Sequence, residues 1–150
     1  MFAGLAAGAA GVFLAVASAL GAPTTTSGVA AAHATTLQAV THTVRIGATR
    51  VKVTTKPSGS VCYSAPGVSG CASSLADGQL SYATGHAGKR VVLAGVTGAG
   101  VKGVIARLSH KGTVWPAFHG GAFYAVLPLG HRLTGIVKVL AGGRRISFTA

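Results

Sequence analysis

A chain of 150 residues holds one ordinary domain, and its 13 Lys and Arg stand against a single acid, Asp77, giving a formal net charge of +12. Hydrolysis by paired carboxylates is thereby excluded, and most of the cations have no carboxylate partner within the chain. Apolar residues make up 49% of the chain but aromatics only 6%, and 23 glycines interrupt them, a composition suited to many short strands and turns rather than long helices.

From residue 2 to residue 22 no charged side chain interrupts an Ala/Gly-rich apolar run, which as a helix is long enough to span a bilayer. Residues 1–22 therefore read as an export leader, either a signal peptide or a retained transmembrane anchor. Small-residue cleavage patterns stand at Ala17-Ser18-Ala19, Ala30-Ala31-Ala32 and Ala32-His33-Ala34. Left uncleaved, residues 2–22 make the membrane a partner. No Lys or Arg precedes Arg45, so the basic flank of a leader is expected upstream of Met1 in a longer natural chain. The expected location is extracytoplasmic, secreted or single-pass.

Pro23 ends the apolar run, and residues 23–43 form a Thr/Ala-rich stretch without period, acid or strong base, expected to be a flexible linker. Over residues 44–150, short alternating runs separated by Gly-containing turns predict an all-β domain, an antiparallel Ig-like β-sandwich following the N-terminal apolar helix and linker. The run Arg50-Val51-Lys52-Val53-Thr54 alternates with period two, turning Val51 and Val53 to one face and Arg50, Lys52 and Thr54 to the other. Strands at 60–64 and 71–74 flank the turn at Ala65-Pro66-Gly67-Val68. Cys62 and Cys71, the only cysteines, are expected to form one disulfide that staples this hairpin; the spacing is not the CxxC of a metal site, and the disulfide leaves no free thiol to act as a nucleophile.

Further strands are expected at 79–83, 89–96, 102–109, 113–117, 122–127, 133–140 and 144–149. The last two join in a tight hairpin at Gly142-Gly143, with Val137, Val139, Ile146 and Phe148 in the core and Lys138 and Arg145 facing solvent. Antiparallel succession sends alternate turns to opposite ends of the domain. The turns near His86, His110 and His131 then share one end with Lys89, Arg90, Lys111 and Arg132, a candidate anion-binding end. Three imidazoles can ligate zinc, but the neighbouring cations repel a dication and favour an anion, so no metal is assigned. Protonation of these histidines is expected to raise affinity for an anionic polymer as pH falls from about 7 to about 5.5.

Other motifs lose to plainer readings. Gly98-Ala99-Gly100-Val101-Lys102-Gly103 has the glycine spacing of a dinucleotide fingerprint, but residues 104–108 are too few for the crossover helix and no acid follows Asp77 to hold a ribose. It reads as a Gly-rich strand turn, and no cofactor is expected. Gly67-Val68-Ser69-Gly70-Cys71 lacks the register of a nucleophile elbow. Trp115, Tyr63, Tyr82 and Tyr124 can stack bases, yet on alternating strands they read as core or sheet-surface residues; nucleic acid is not an expected partner.

Leu93-Ala94-Gly95-Val96, Val104-Ile105-Ala106-Arg107-Leu108, Gly112-Thr113-Val114-Trp115-Pro116, the run from Gly121 to Pro128 and the closing Gly-Gly-Arg hairpin resemble a group of secreted or single-pass β-sandwich proteins of high-GC Gram-positive bacteria. Some of these are similar to the outer parts of membrane-bound anti-sigma factors. The resemblance implies no catalytic residues. Charge, leader and resemblance lead to one expectation, a non-enzymatic envelope-associated binding or structural module whose partners are anionic envelope polymers or lipid headgroups. The alternative is the outer domain of a transmembrane regulator whose cytoplasmic part lies upstream of Met1.

Overall fold

Among the described residues twelve strands build the fold, and in the first of them the alternation of apolar side chains is already visible: Val44 and Ile46 point inward while Thr43 and Arg45 stay in solvent. The structure, a computed structural model, describes residues 38–150; the expected leader and most of the expected linker lie outside the described residues. The strands are β1 (Val40–Ile46), β2 (Thr49–Thr55), β3 (Val61–Ala65), β4 (Val68–Ala72), β5 (Leu80–Ala87), β6 (Arg90–Thr97), β7 (Val101–Leu108), β8 (Thr113–Val114), β9 (Ala117–His119), β10 (Ala122–Val126), β11 (Leu133–Leu140) and β12 (Arg145–Thr149). Every pairing is antiparallel.

The strands form three four-stranded sheets, a meander β1-β2-β3-β4, a middle sheet β5-β6-β10-β9 and a third sheet β12-β11-β7-β8. An Ig-like sandwich has two sheets, and the third is the departure from that expectation. Its cause is legible in β6, whose run Val91-Val92-Leu93-Ala94 does not alternate with polar residues. Val92, Ala94 and Val96 pack into one core with Val51, Val53 and Tyr63 of the first sheet, while Leu93 packs into a second core with Phe123, Val104 and Ile136. A strand buried on both faces must be covered on both sides.

Two cross-strand pairs fit an aromatic ring over a glycine. Tyr63 faces Gly70 and Phe123 faces Gly95. A Cβ on Gly95 would lie 2.4 Å from the Phe123 ring and 2.3 Å from the Ser81 carbonyl oxygen, so the ring occupies the space the glycine leaves. The expected turn at Gly98-Ala99-Gly100 is present, connecting β6 of the middle sheet to β7 of the third; it leads into a strand, not a helix.

Three expectations are corrected. The flexible linker was expected to run to residue 43, but β1 begins at Val40: Val40 pairs with Thr55 and Thr41 with Thr54, so backbone hydrogen bonding carries the strand beyond its hydrophobic pattern. The short strand expected over 113–117 is two, β8 and β9, in different sheets, separated at Trp115-Pro116. The face assignment in the last hairpin is also wrong. The register sets Val137 opposite Ser147 and Lys138 opposite Ile146, so Val137 and Val139 lie on the opposite face from Ile146 and Phe148. Val137 is buried as expected, but so is Ile136 on the other face of β11; Phe148 is 42% exposed on the edge strand, and Lys138 is half-buried rather than solvated.

Candidate functional site

Two basic surfaces emerge. The first is the expected anion-binding end, which the structure assembles in part. His86 pairs with Val91, whose carbonyl accepts from the Leu127 amide at 2.8 Å, so the β5–β6 turn with Lys89 and Arg90 and the β10–β11 loop lie at one end of the domain. His110 and His131 meet there, ring centroids 5.8 Å apart and edge to face. The His131 Nδ1 lies 3.0 Å from the Ser109 carbonyl oxygen, and the Arg132 amide donates to Ser109 Oγ at 3.0 Å. These bonds tie the β7–β8 turn to the β10–β11 loop and so bring Lys111 and Arg132 together. His86 does not join the His110–His131 pair, and among the described residues no three His, Cys, Asp or Glu side chains could hold a metal ion.

The β7–β8 turn carries backbone strain, since His110 and Lys111 both have φ of 58°. Two central residues with positive φ define a type I′ hairpin turn, a conformation that favours Asn-Gly over the pair found here. The Gly112 amide donates across the turn to the Ser109 carbonyl at 3.4 Å, and the Leu108 amide closes the hairpin by donating to the Gly112 carbonyl at 2.8 Å.

The second surface was only partly anticipated, from the outward placement of Arg50 and Lys52. On the outer face of the first sheet Arg45 stands directly opposite Arg50, Lys52 opposite both Thr43 and Ser64, and Thr41 opposite Thr54. Arg45, Arg50 and Lys52 are all exposed. Like charges directly opposite on one sheet face are destabilising unless an anion lies between them. The chain's single carboxylate side chain is elsewhere, since Asp77 lines a hollow with Gly100 and Arg144 at the β6–β7 turn. Beside the arginine pair a shallow hollow is lined by Thr43, Arg50, Lys52, Ser64, Ala65 and Pro66, so hydroxyl donors and cations converge on one open surface. Thr41 Oγ1 and Thr54 Oγ1 are 2.9 Å apart, continuing the hydroxyl row along the same face.

The expected disulfide is present. Cys62 and Cys71 are directly opposed on β3 and β4, their Cα atoms 4.0 Å apart, on this same outer face. It fixes the hairpin whose Ser64 and Pro66 close the hollow. The signal missed in the sequence is the placement of Arg45 beside Arg50: it depends on the two-residue turn at Gly47-Ala48 and on a strand whose first four residues, Val40–Thr43, lie within the expected linker.

Of the aromatic residues, Trp115 is 62% exposed, Tyr63 is 2% exposed, and Tyr82 and Tyr124 are half-buried, with no shared platform for bases. Comparison with protein-family models, with curated proteins and with solved structures gives no match.

Proposed function

We propose that this chain is an extracytoplasmic, non-enzymatic, envelope-associated module that holds anionic polymers on its basic surface. The observation that carries the reading is the outer face of the first sheet, where Arg45, Arg50 and Lys52 lie among hydroxyls with no carboxylate to neutralise them. An extended polyanion crossing that face satisfies several cations at once. Successive side chains on one face of a strand are separated by about 6.5–7 Å, so Arg50 and Lys52 engage neighbouring charges of such a chain. The affinity comes mainly from release of counter-ions, which makes it sequence-independent and sensitive to salt. The disulfide supports the extracytoplasmic location, because exported domains use disulfides and cytosolic ones rarely keep them.

The test is co-sedimentation of the full chain with an insoluble phosphodiester cell-wall polymer, a neutral glycan and vesicles of anionic lipid, across a salt series. The expected result is retention on the polymer that falls steeply with salt, with Arg50→Gln and Lys52→Gln each reducing the salt slope by about one unit. Retention on the neutral glycan equal to that on the polymer removes the reading. Retention on the vesicles alone replaces the polymer with a membrane surface.

A further inference from the structure

Lys138 is the one basic residue of the 13 that is not exposed. It lies on the core-facing side of β11, alternating with Ile136 and Leu140, and opposite Ile146. A lysine that emerges from an apolar sheet face ordinarily carries its ammonium out to bulk water. Here the ammonium stops within a groove: it donates to the Gly78 carbonyl at 2.5 Å and lies 4.9 Å from the centre of the Phe148 ring. Asp77, the neighbour of Gly78, lines a different hollow with Arg144.

The groove opens between the edges of the middle and third sheets. It has a volume of about 420 Å³, within the range of roughly 300–1,000 Å³ usual for small-molecule sites. Leu75, Leu80, Tyr82 and Phe148 supply apolar walls, and Ser74, Gln79, Thr149 and Lys138 the polar groups. Gln79 Oε1 already accepts from the Ala76 amide at 3.0 Å, which leaves the amide nitrogen as its free group. A carbonyl takes only one of the three ammonium donors of Lys138. The polar groups that remain are thus an ammonium, an amide N–H₂ and hydroxyls, a set rich in donors and carrying a positive charge. Their complement is an acceptor-rich anion, and the aromatic walls call for a compact apolar body attached to it.

We propose that this groove is a binding site for a small organic carboxylate, its charge paired with Lys138 and its apolar body held between Tyr82 and Phe148. The site is separate from the polymer-binding face and carries a different kind of ligand. Benzoate is the probe, with benzyl alcohol as its neutral counterpart and inorganic phosphate as charge without an apolar body, followed by amide chemical-shift titration of the full chain. The expected result is a saturable benzoate isotherm with shifts concentrated at residues 74–82, 138 and 148, and weaker binding of benzyl alcohol. Lys138→Met keeps the methylene stem on Phe148 and is expected to weaken benzoate by about tenfold while leaving benzyl alcohol unchanged. Phe148→Leu is expected to weaken both, and the amide spectrum reports whether each variant is folded. The proposal is overturned by a non-saturating benzoate titration, by equal isotherms for benzoate and benzyl alcohol, or by phosphate shifting the same residues as strongly. It is equally overturned if Arg50→Gln costs benzoate as much as Lys138→Met, since affinity would then follow overall charge.

Discussion

Burial holds the Tyr63 phenol above its ordinary value of 10.0, and a hydrogen bond with the Ser81 side chain acts in the opposite sense with smaller effect. The sign of the resulting pH dependence follows from which state loses its proton first. Below about pH 10 the phenol is protonated in both states and its contribution to stability is complete. Above that value the unfolded chain ionises while the folded one stays protonated, so stability falls as pH rises. Denaturant midpoints measured from about pH 8 to about pH 11 are expected to decline at the alkaline end, and to decline less in Tyr63→Phe. A second residue-scale prediction concerns Lys111, whose φ of 58° is costly for a side chain with a Cβ. Lys111→Gly is expected to stabilise the domain by about 1 kcal/mol, read as a higher denaturant midpoint at unchanged slope. A lower midpoint would mean that the lysine makes a native contact worth more than the strain.

Among the elements, the β3–β4 hairpin carries the disulfide, and the nine-residue separation of Cys62 and Cys71 closes a short loop. Loop-closure entropy for such a ring corresponds to about 2–3 kcal/mol, so Cys62→Ser/Cys71→Ser is expected to unfold at correspondingly lower denaturant. The same variant loosens the wall formed by Ser64 and Pro66 and is expected to weaken polymer retention; unchanged retention would take the hairpin out of the binding face. The elements also show where periodicity is a reliable guide. In β2 the alternation of valines with Arg50 and Lys52 had one solution, because that strand has one dry and one wet face. In β11 it had two. Ile136 and Val137 are both buried, on opposite faces, and only the pairing with β12 shows that the face carrying Ile136 and Lys138 is also the face of Phe148. Short apolar runs cannot reveal their inner face when both faces are covered.

At the scale of the molecule, twelve of the thirteen basic side chains are exposed, and they are spread over sheet faces and both ends of the domain. The long-range field of a net charge of +12 draws any polyanion toward the domain and speeds its arrival. Retention is a local matter, decided by where cations and hydroxyls stand close enough to engage one chain together. For that reason the polymer experiment compares salt slopes: Arg50→Gln and Lys52→Gln remove local contacts, whereas Lys102→Gln, a single charge on another surface, is expected to leave retention within about twofold. Equal effects from all three would assign binding to net charge alone.

The sequence by itself determined the class of the fold, nearly all of the strands, the cysteine hairpin and the shortage of acids, because each follows from local alternation, turn residues or composition. It also put His110 and His131 at one end with Lys111 and Arg132, since antiparallel succession fixes which turns share an end. Only the tertiary structure decided that there are three sheets, that Arg45 lies against Arg50, that His86 stands apart from the other histidines, and that Lys138 turns inward beside Phe148. Those features depend on which strands far apart in the chain become neighbours and on the register they adopt. A shift of one residue in register moves a side chain to the opposite face, and no property of an isolated strand encodes it.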